Sequence, residues 1–282
     1  MIRFTKGHGT ENDFVIVEDV DASFDPGAAW VAAVCDRRTG IGADGVLRVV
    51  PTKAVAGYEA DAVEAPWFMD YRNADGSISE MCGNGVRVFA RYLVAQGFAR
   101  PGRFGVATRG GVKGVLVPED GGDITVDMGR SALPAETAEV LLGERWVPAV
   151  NVNMGNPHAV VFVDDVAEAG PLKQLPQVRP ESVYPQGVNV EYVAATGPRQ
   201  IEMRVFERGV GETRSCGTGA CAAMVAAARR DGAEPGTPYR VQVPGGLLSI
   251  VQHEDGRVEM TGPAVLVATG ELLDQAPNTR RV

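Results

Sequence analysis

Two cysteines of the chain sit in the same local frame, Cys82-Gly83-Asn84-Gly85 and Cys216-Gly217-Thr218-Gly219. Each opens a stretch that reads as a helix and ends at a glycine, within residues 78–97 and 214–232. Glycines at a helix start let the backbone turn tightly and let a ligand approach it. The first N–H groups of the helix then point outward, a natural cradle for a carboxylate. The same field favours a thiolate, and at such positions a cysteine pKa falls from about 8.5 into a range of roughly 3.5–7.5. Each motif therefore joins an acid–base group to an anion site. If two such motifs bracket one α-carbon, one thiolate removes the proton from one face and the opposed thiol delivers a proton to the other. The centre inverts without flavin, nicotinamide or pyridoxal, and the gathered N–H groups stabilise the enediolate-like charge. The ordinary fate of a free cysteine is to be a small buried hydrophobe. That reading is kept for Cys35 and for Cys221, which falls within the Ala-rich second helix. A redox thiol would want Cys-x-x-Cys spacing, which is missing.

The elements that must position these cysteines repeat as well. Residues 67–72 have strand character and lead into the turn Asn73-Ala74-Asp75-Gly76-Ser77, then to Cys82. Residues 201–205 alternate and lead to Glu207, Arg208 and the loop Gly209-Val210-Gly211, then to Cys216. A looser echo links the valine-rich residues 15–20 and 161–166. In the first helix Val86, Phe89, Leu93 and Val94 share one face, with Arg87 and Arg91 off it. The second helix is so rich in alanine that burial on all sides is expected. Short strands with one long helix per half predict an α+β fold built twice. The expected division is 1–118 and 119–264, with residues 265–282 returning to the first half. Residues 171–186, rich in Pro and Gln, read as irregular.

Composition narrows the partners. The chain has 282 residues, 45% of them hydrophobic, and a net charge of −9. That length suffices for a core without disulfide or metal staples. An acidic balance disfavours nucleic acid and anionic membrane, which need a basic face. No apolar run approaches the roughly 20 residues of a membrane span, and the N-terminus starts directly with strand-like sequence, so a cytoplasmic protein is expected. Four cysteines and three scattered histidines make neither a disulfide framework nor a zinc site, and no metal is expected.

On these residues the chain resembles diaminopimelate epimerase along nearly its whole length. The motifs that carry the resemblance are Lys6-Gly7-His8-Gly9-Thr10-Glu11-Asn12-Asp13-Phe14, Gly40-Ile41-Gly42-Ala43-Asp44-Gly45, Arg72-Asn73-Ala74-Asp75-Gly76-Ser77 and Met81-Cys82-Gly83-Asn84-Gly85-Val86-Arg87. Met154-Gly155-Asn156-Pro157-His158, Gly187-Val188-Asn189-Val190-Glu191 and residues 207–219 complete the set. The resemblance implies interconversion of LL- and meso-2,6-diaminopimelate in lysine and cell-wall precursor synthesis, with no cofactor. It also implies two similar domains related by a pseudo-twofold, each a sheet wrapped around a central helix, with the site in the cleft between them.

Carried over residue by residue, Cys82 and Cys216 match the catalytic pair. Gly83 and Asn84, and Gly217 and Thr218, match the segments that hold the reacting carboxylate. Asn12, Asn73, Asn156 and Asn189 match substrate-binding asparagines, Glu207 and Arg208 the pair at the substrate, and His158 a histidine that assists the chemistry. Asparagine donates and accepts, which suits both an ammonium and a carboxylate, and Arg208 can fork onto a distal carboxylate. Taken singly, each asparagine reads as a turn or cap residue, Asn73 most of all. Arg208 reads as a surface partner of Glu207 or Glu212, and His158 as a hydrogen-bonded histidine at a strand edge.

The chain departs from the family pattern in three places. Thr10-Glu11 stands where Leu-Gly is commoner, Gly45 where many relatives carry a substrate-touching Gln, and Val88 where a second cysteine is frequent. Two other readings remain: a two-thiol racemase of proline or hydroxyproline, and a relative that keeps the fold without thiol chemistry. Two close thiols should also form a disulfide under oxidation. The partner expected is the small-molecule substrate. The sequence admits a homodimer without fixing one.

Overall fold

The computed structural model describes residues 2–273. Met1 and residues 274–282, the last part of the segment expected to return to the first half, lie outside the described residues. The fold is mixed α+β, mostly sheet, and divides into two units. The first runs to Val126 and resumes at Pro263; the second is Asp127–Gly262.

In the first unit, β1 (Ile2–Gly9) and β2 (Asn12–Glu18) form an antiparallel hairpin. Its two turn residues, Thr10 and Glu11, both adopt positive φ, 47° and 61°. That is the mirror-image turn that matches strand twist and normally recruits Asn or Gly. Helix α1 (Ala28–Cys35) packs Val31, Val34 and Cys35 into the core. β3 (Gly45–Pro51) then pairs parallel with β2, and β4 (Trp67–Asn73) antiparallel with β3. Helix α2 (Gly83–Ala95) follows, and then β5 (Gly102–Val106) and β6 (Lys113–Val117). β7 (Ile124–Arg130) carries the chain into the second unit.

The second unit contains β8 (Ala138–Leu142), β9 (Arg145–Asn153), β10 (Pro157–Phe162), β11 (Val178–Arg179), β12 (Asn189–Gly197) and β13 (Gln200–Glu207). β14 (Gly211–Thr213), helix α3 (Gly217–Asp231) and the meander β15 (Tyr239–Val243), β16 (Gly246–Gln252) and β17 (Arg257–Gly262) complete it. β18 (Val265–Leu272) returns to the first unit and pairs antiparallel with β1.

The two units share one topology. β9 and β10 pair antiparallel, β12 joins β10 in parallel, and β13 pairs antiparallel with β12, as β1, β2, β3 and β4 do in the first unit. Each set ends in a cysteine-capped helix. The register aligns the units residue by residue. In the parallel pair Phe14 faces Gly45 in the first unit, and His158 faces Asn189 in the second. His158 thus occupies the place of Phe14 and Asn189 that of Gly45. Two residues further on, Glu191 takes the place of Leu47, and two residues back, Asn156 takes that of Asn12.

Helix α2 departs from the face expected of it. Val86, Phe89 and Leu93 are buried, but so is Arg87, which is wholly inaccessible. Its guanidinium donates to Thr10 Oγ1 and to the Pro263 carbonyl, both at 3.3 Å. Hydrogen bonding thus lets a cation sit inside, where an unpaired one would be expelled. Helix α3 is buried from Gly219 through Ala227 and ends at Gly232 in the left-handed region, φ 61°.

Candidate active-site groups in each unit

Each cysteine is the N-cap of its helix. Cys82 and Cys216 have extended backbones, φ −139° and −117°, and each Sγ accepts the N–H of the glycine three residues on, Gly85 or Gly219, at 3.4 Å. This is the geometry that Ser, Thr, Asp or Asn provides at other helices, here built with sulfur. The helical ladder starts with Val86 N–H to Cys82 O and Ala220 N–H to Cys216 O. The N–H groups of Gly83 and Asn84, and of Gly217 and Thr218, therefore lie outside it, at the positive end of the helix dipole.

Beside Cys82 the sequence-picked asparagines come together. Asn84 Nδ2 donates to Asn12 Oδ1 at 3.3 Å, and Cys82 Sγ lies 3.5 Å from the same oxygen. Asn12 is itself oriented, because its Nδ2 donates to Asp44 Oδ2 at 2.8 Å. Arg37 bridges Asp44 and Asp13, and Lys6 pairs with Asp13 at 2.6 Å. Although burial pushes the Asp13 carboxyl up, Arg37 and Lys6 hold it at about 2. Thr10 explains one departure from the family pattern, since its buried hydroxyl accepts from Arg87 and reaches Asn84 Oδ1 at 3.5 Å. Gly45 explains another. A Cβ there would lie 2.4 Å from the Arg72 carbonyl and 2.6 Å from the Tyr71 ring, so this backbone leaves no room for a side chain. Asn73 opposes Gly45 at the end of β4, and its amide donates to Ser77 Oγ at 2.9 Å, holding the turn.

Beside Cys216 the surroundings differ. Asn156 Nδ2 donates to Thr218 Oγ1 at 3.4 Å, and Thr218 Oγ1 lies 3.6 Å from Cys216 Sγ. His158 is not at a strand edge. It sits on β10 between β9 and β12, fully buried, with Nδ1 2.7 Å from Glu191 Oε1 and Nε2 3.0 Å from Asn156 Oδ1. Asn189 Oδ1 accepts the Arg208 N–H at 2.8 Å. Arg208 is exposed and donates to the Gln186 carbonyl at 2.7 Å, while Glu212 pairs with Arg204 instead. Glu207 accepts from the Thr213 hydroxyl, and burial pushes its carboxyl above the usual range.

The helix end does not win at Cys216. With only 6% of its surface exposed, burial pushes the thiol well up, and the Glu207 and Glu191 carboxylates push the same way. The Thr218 side chain and the Gly219 N–H pull it down, but less. The expected depression of the thiol pKa is thus outweighed by desolvation. Cys35 and Cys221 are core residues, and burial raises the Cys35 thiol to about 11.

Sequence reasoning missed Asp44 and Glu191, the carboxylates that orient Asn12 and His158. Both lie inside quoted motifs, yet a lone acid just before a strand (Asp44) or within one (Glu191) carries no signal of its target. No helix among the described residues is long and apolar enough to cross a membrane.

The model of the family described as diaminopimelate epimerase matches residues 4–134 and 150–267. A diaminopimelate epimerase from Streptomyces coelicolor is 60% identical over 275 residues, 96% of this chain and 95% of the relative. Among solved structures, a predicted epimerase from Pseudomonas aeruginosa superposes with a TM-score of 0.71 at 18% identity, covering 97% and 99% of the two chains. A probable proline racemase from Agrobacterium radiobacter gives 0.70 at 15% identity, covering 99% and 95%. The last two are likenesses of fold.

Proposed function

Since this chain belongs to the diaminopimelate epimerase family, we propose that it interconverts LL- and meso-2,6-diaminopimelate by proton transfer at one α-carbon, with Cys82 and Cys216 as the two bases. The observation that carries the reading is the pair of cysteine N-caps on one repeated topology, each with a polar side chain, Asn84 or Thr218, at the second helical position. In each direction one sulfur takes the α-proton as thiolate while the other delivers a proton as thiol, so the roles exchange with the direction of reaction. The N–H groups of Gly83, Asn84, Gly217 and Thr218 take the reacting carboxylate, whose charge grows as the α-proton leaves.

A buried thiol suits this task. Burial and the Glu207 and Glu191 carboxylates keep the proton on Cys216 in the resting chain, so it stands ready as the thiol that delivers a proton to carbon. Glu207 and His158 govern where that proton resides. Asn12, Asn73, Asn156, Asn189 and Arg208 hold the ammonium and carboxylate groups, Arg208 at the distal end, which separates this substrate from proline. The reaction needs no metal or organic cofactor, and its product serves lysine and peptidoglycan precursor synthesis in the cytoplasm.

The test is α-proton exchange. LL-diaminopimelate incubated with the protein in D₂O should gain deuterium at one α-carbon and yield the meso isomer. Cys82→Ala and Cys216→Ala should each lower turnover by at least about 10²-fold, the lower end of what a positioned acid or base supplies. Exchange on proline but not on diaminopimelate would replace the reading with a racemase, and unimpaired cysteine variants would remove the thiols from it.

A further inference from the structure

The two units share a topology but not what lies beneath their cysteines. Under Cys82, a Cβ built on Gly85 would touch Leu47 Cδ2 at 3.4 Å and Phe14 Cζ at 3.5 Å, both apolar and fully buried. Under Cys216, a Cβ on Gly219 would meet Glu191 Oε1 at 2.8 Å. Glu191 and His158 fill the positions of Leu47 and Phe14, and neither is exposed at all. A carboxylate placed under a helix where an alkyl chain would fit is costly, and Glu191 Oε2 is buried without a hydrogen-bond partner.

Following the hydrogen bonds outward shows what Glu191 does. Asn156 points its Nδ2 at Thr218 and its Oδ1 at His158 Nε2. That oxygen only accepts, so Nε2 must carry a hydrogen. The Nδ1 contact to Glu191 Oε1 needs one further hydrogen, on the ring or on the carboxyl. With the Asn156 amide locked this way, Thr218 Oγ1 accepts from Nδ2 and its hydroxyl hydrogen is left to point at Cys216 Sγ, 3.6 Å away. Remove one hydrogen from the Glu191–His158 pair and every link reverses. His158 Nε2 then accepts from Asn156, Asn156 Oδ1 accepts from Thr218, and Thr218 accepts from the thiol. At Cys82 the neighbour is instead the Asn12 oxygen, an acceptor fixed by Asp44.

We infer that Glu191 is a positioning residue that acts through His158 and Asn156 to make Thr218 a hydrogen-bond donor to Cys216, a polarity the first unit does not give Cys82. The inference rests on the reading that Cys216 is one of the two reacting thiols. The ionisable and charged groups that act on Cys216 are Glu207 from β13 and Glu191 from β12, with His158 of β10 set against Glu191. The relay opposes the burial and the carboxylates that keep the proton on sulfur. It therefore matters most when Cys216 must give that proton up.

The first unit supplies the control substitution. His158→Phe with Glu191→Leu installs the pair already present as Phe14 and Leu47, on the corresponding strands at the same register. Protein labelled with ¹³C at cysteine Cβ is titrated by NMR without substrate, the two resonances being assigned from Cys82→Ser and Cys216→Ser. Thr218→Val should move the Cys216 titration up by about one pH unit, as expected for losing one hydrogen bond to a thiolate, and leave that of Cys82 in place. The double variant also removes the Glu191 charge, so it serves as a second background, in which adding Thr218→Val should shift the Cys216 titration little or not at all. An unmoved Cys216 titration, an equal shift at Cys82, or fully additive shifts would each overturn the relay. Because no substrate is present, failure to exchange diaminopimelate would count against the proposed reaction and leave this titration result standing.

Discussion

Gly85 and Gly219 occupy the same place in their helices, three residues past the cysteine cap, yet alanine should act on them in opposite senses. Neither glycine has a positive φ, so each backbone accepts a side chain, and alanine in a helix gains up to about 1 kcal/mol over glycine. At Gly85 the new methyl finds Cys82 Cβ and Leu47 at 3.4 Å and Phe14 at 3.5 Å, ordinary contact distances. Gly85→Ala should therefore be neutral or stabilising by up to ~1 kcal/mol. At Gly219 the methyl lands 2.8 Å from Glu191 Oε1 and 3.3 Å from both Cβ and Sγ of Cys216. The carboxylate cannot swing into solvent, because Glu191 is fully buried and bonded to His158. Overpacking costs typically 1–3 kcal/mol, and weakening a charge-assisted hydrogen bond adds roughly 1.5–3 kcal/mol. Set against the helix gain, Gly219→Ala should destabilise by about 2–5 kcal/mol. At roughly 2–4 °C per kcal/mol for a chain of this size, thermal unfolding of the two variants should separate by at least several degrees, with wild type between them or level with Gly85→Ala. Turnover should fall in Gly219→Ala and persist in Gly85→Ala. Equal midpoints, or a greater loss at Gly85, would refute the claim that a rigid carboxylate underlies the second helix and a yielding apolar pair the first.

Glu11 sits at φ 61° in the β1–β2 turn. Glu11→Gly should stabilise the chain by up to about 1 kcal/mol, measured by urea unfolding, and no gain would mean the turn is unstrained. The Asp13 carboxyl, held at about 2 against an ordinary 3.8, contributes stability that is complete above pH ~4 and is lost as pH falls through about 2. Asp13→Asn should flatten that acid limb in a pH series of unfolding midpoints, and an unchanged slope would remove Asp13 as its source. Arg208→Lys keeps the charge but loses the fork, so KM for diaminopimelate should rise at least about tenfold with a smaller change in kcat. A fall in kcat alone would place Arg208 at the reacting end.

The cysteine caps were legible because the features that make them are local. Cys-Gly-x-Gly, a preceding strand and a terminal glycine all lie within some thirty residues, and helix capping is read over four. Arg87 shows where that stops. Helical periodicity puts it off the apolar face, but its partners are Thr10 and the Pro263 carbonyl, a hairpin turn and a returning segment far away in the chain. His158 reads as an edge histidine until the parallel crossover lays β12 alongside β10 and makes it interior. Glu191 is hidden for the same reason. In Val190-Glu191-Tyr192 it alternates like any strand residue, and only the register reveals that it lies below a helix in the place of Leu47. The sequence marks which side chains are chemically capable; the pairing of distant strands decides which way their protons face.

The return of β18 to β1 has a consequence for how the molecule is made. The second unit, Asp127–Gly262, is one uninterrupted stretch, whereas the first lacks an edge strand until Val265–Leu272 has been added. On a ribosome the later-synthesised unit is thus the earlier to be complete, and the opening hairpin waits beside an unfilled edge for the last strand to emerge. A chain truncated after Gly262 should already protect Cys216 and Cys221 from alkylation in their finished surroundings, while β1 exchanges its amide hydrogens along the edge that β18 covers in the full chain.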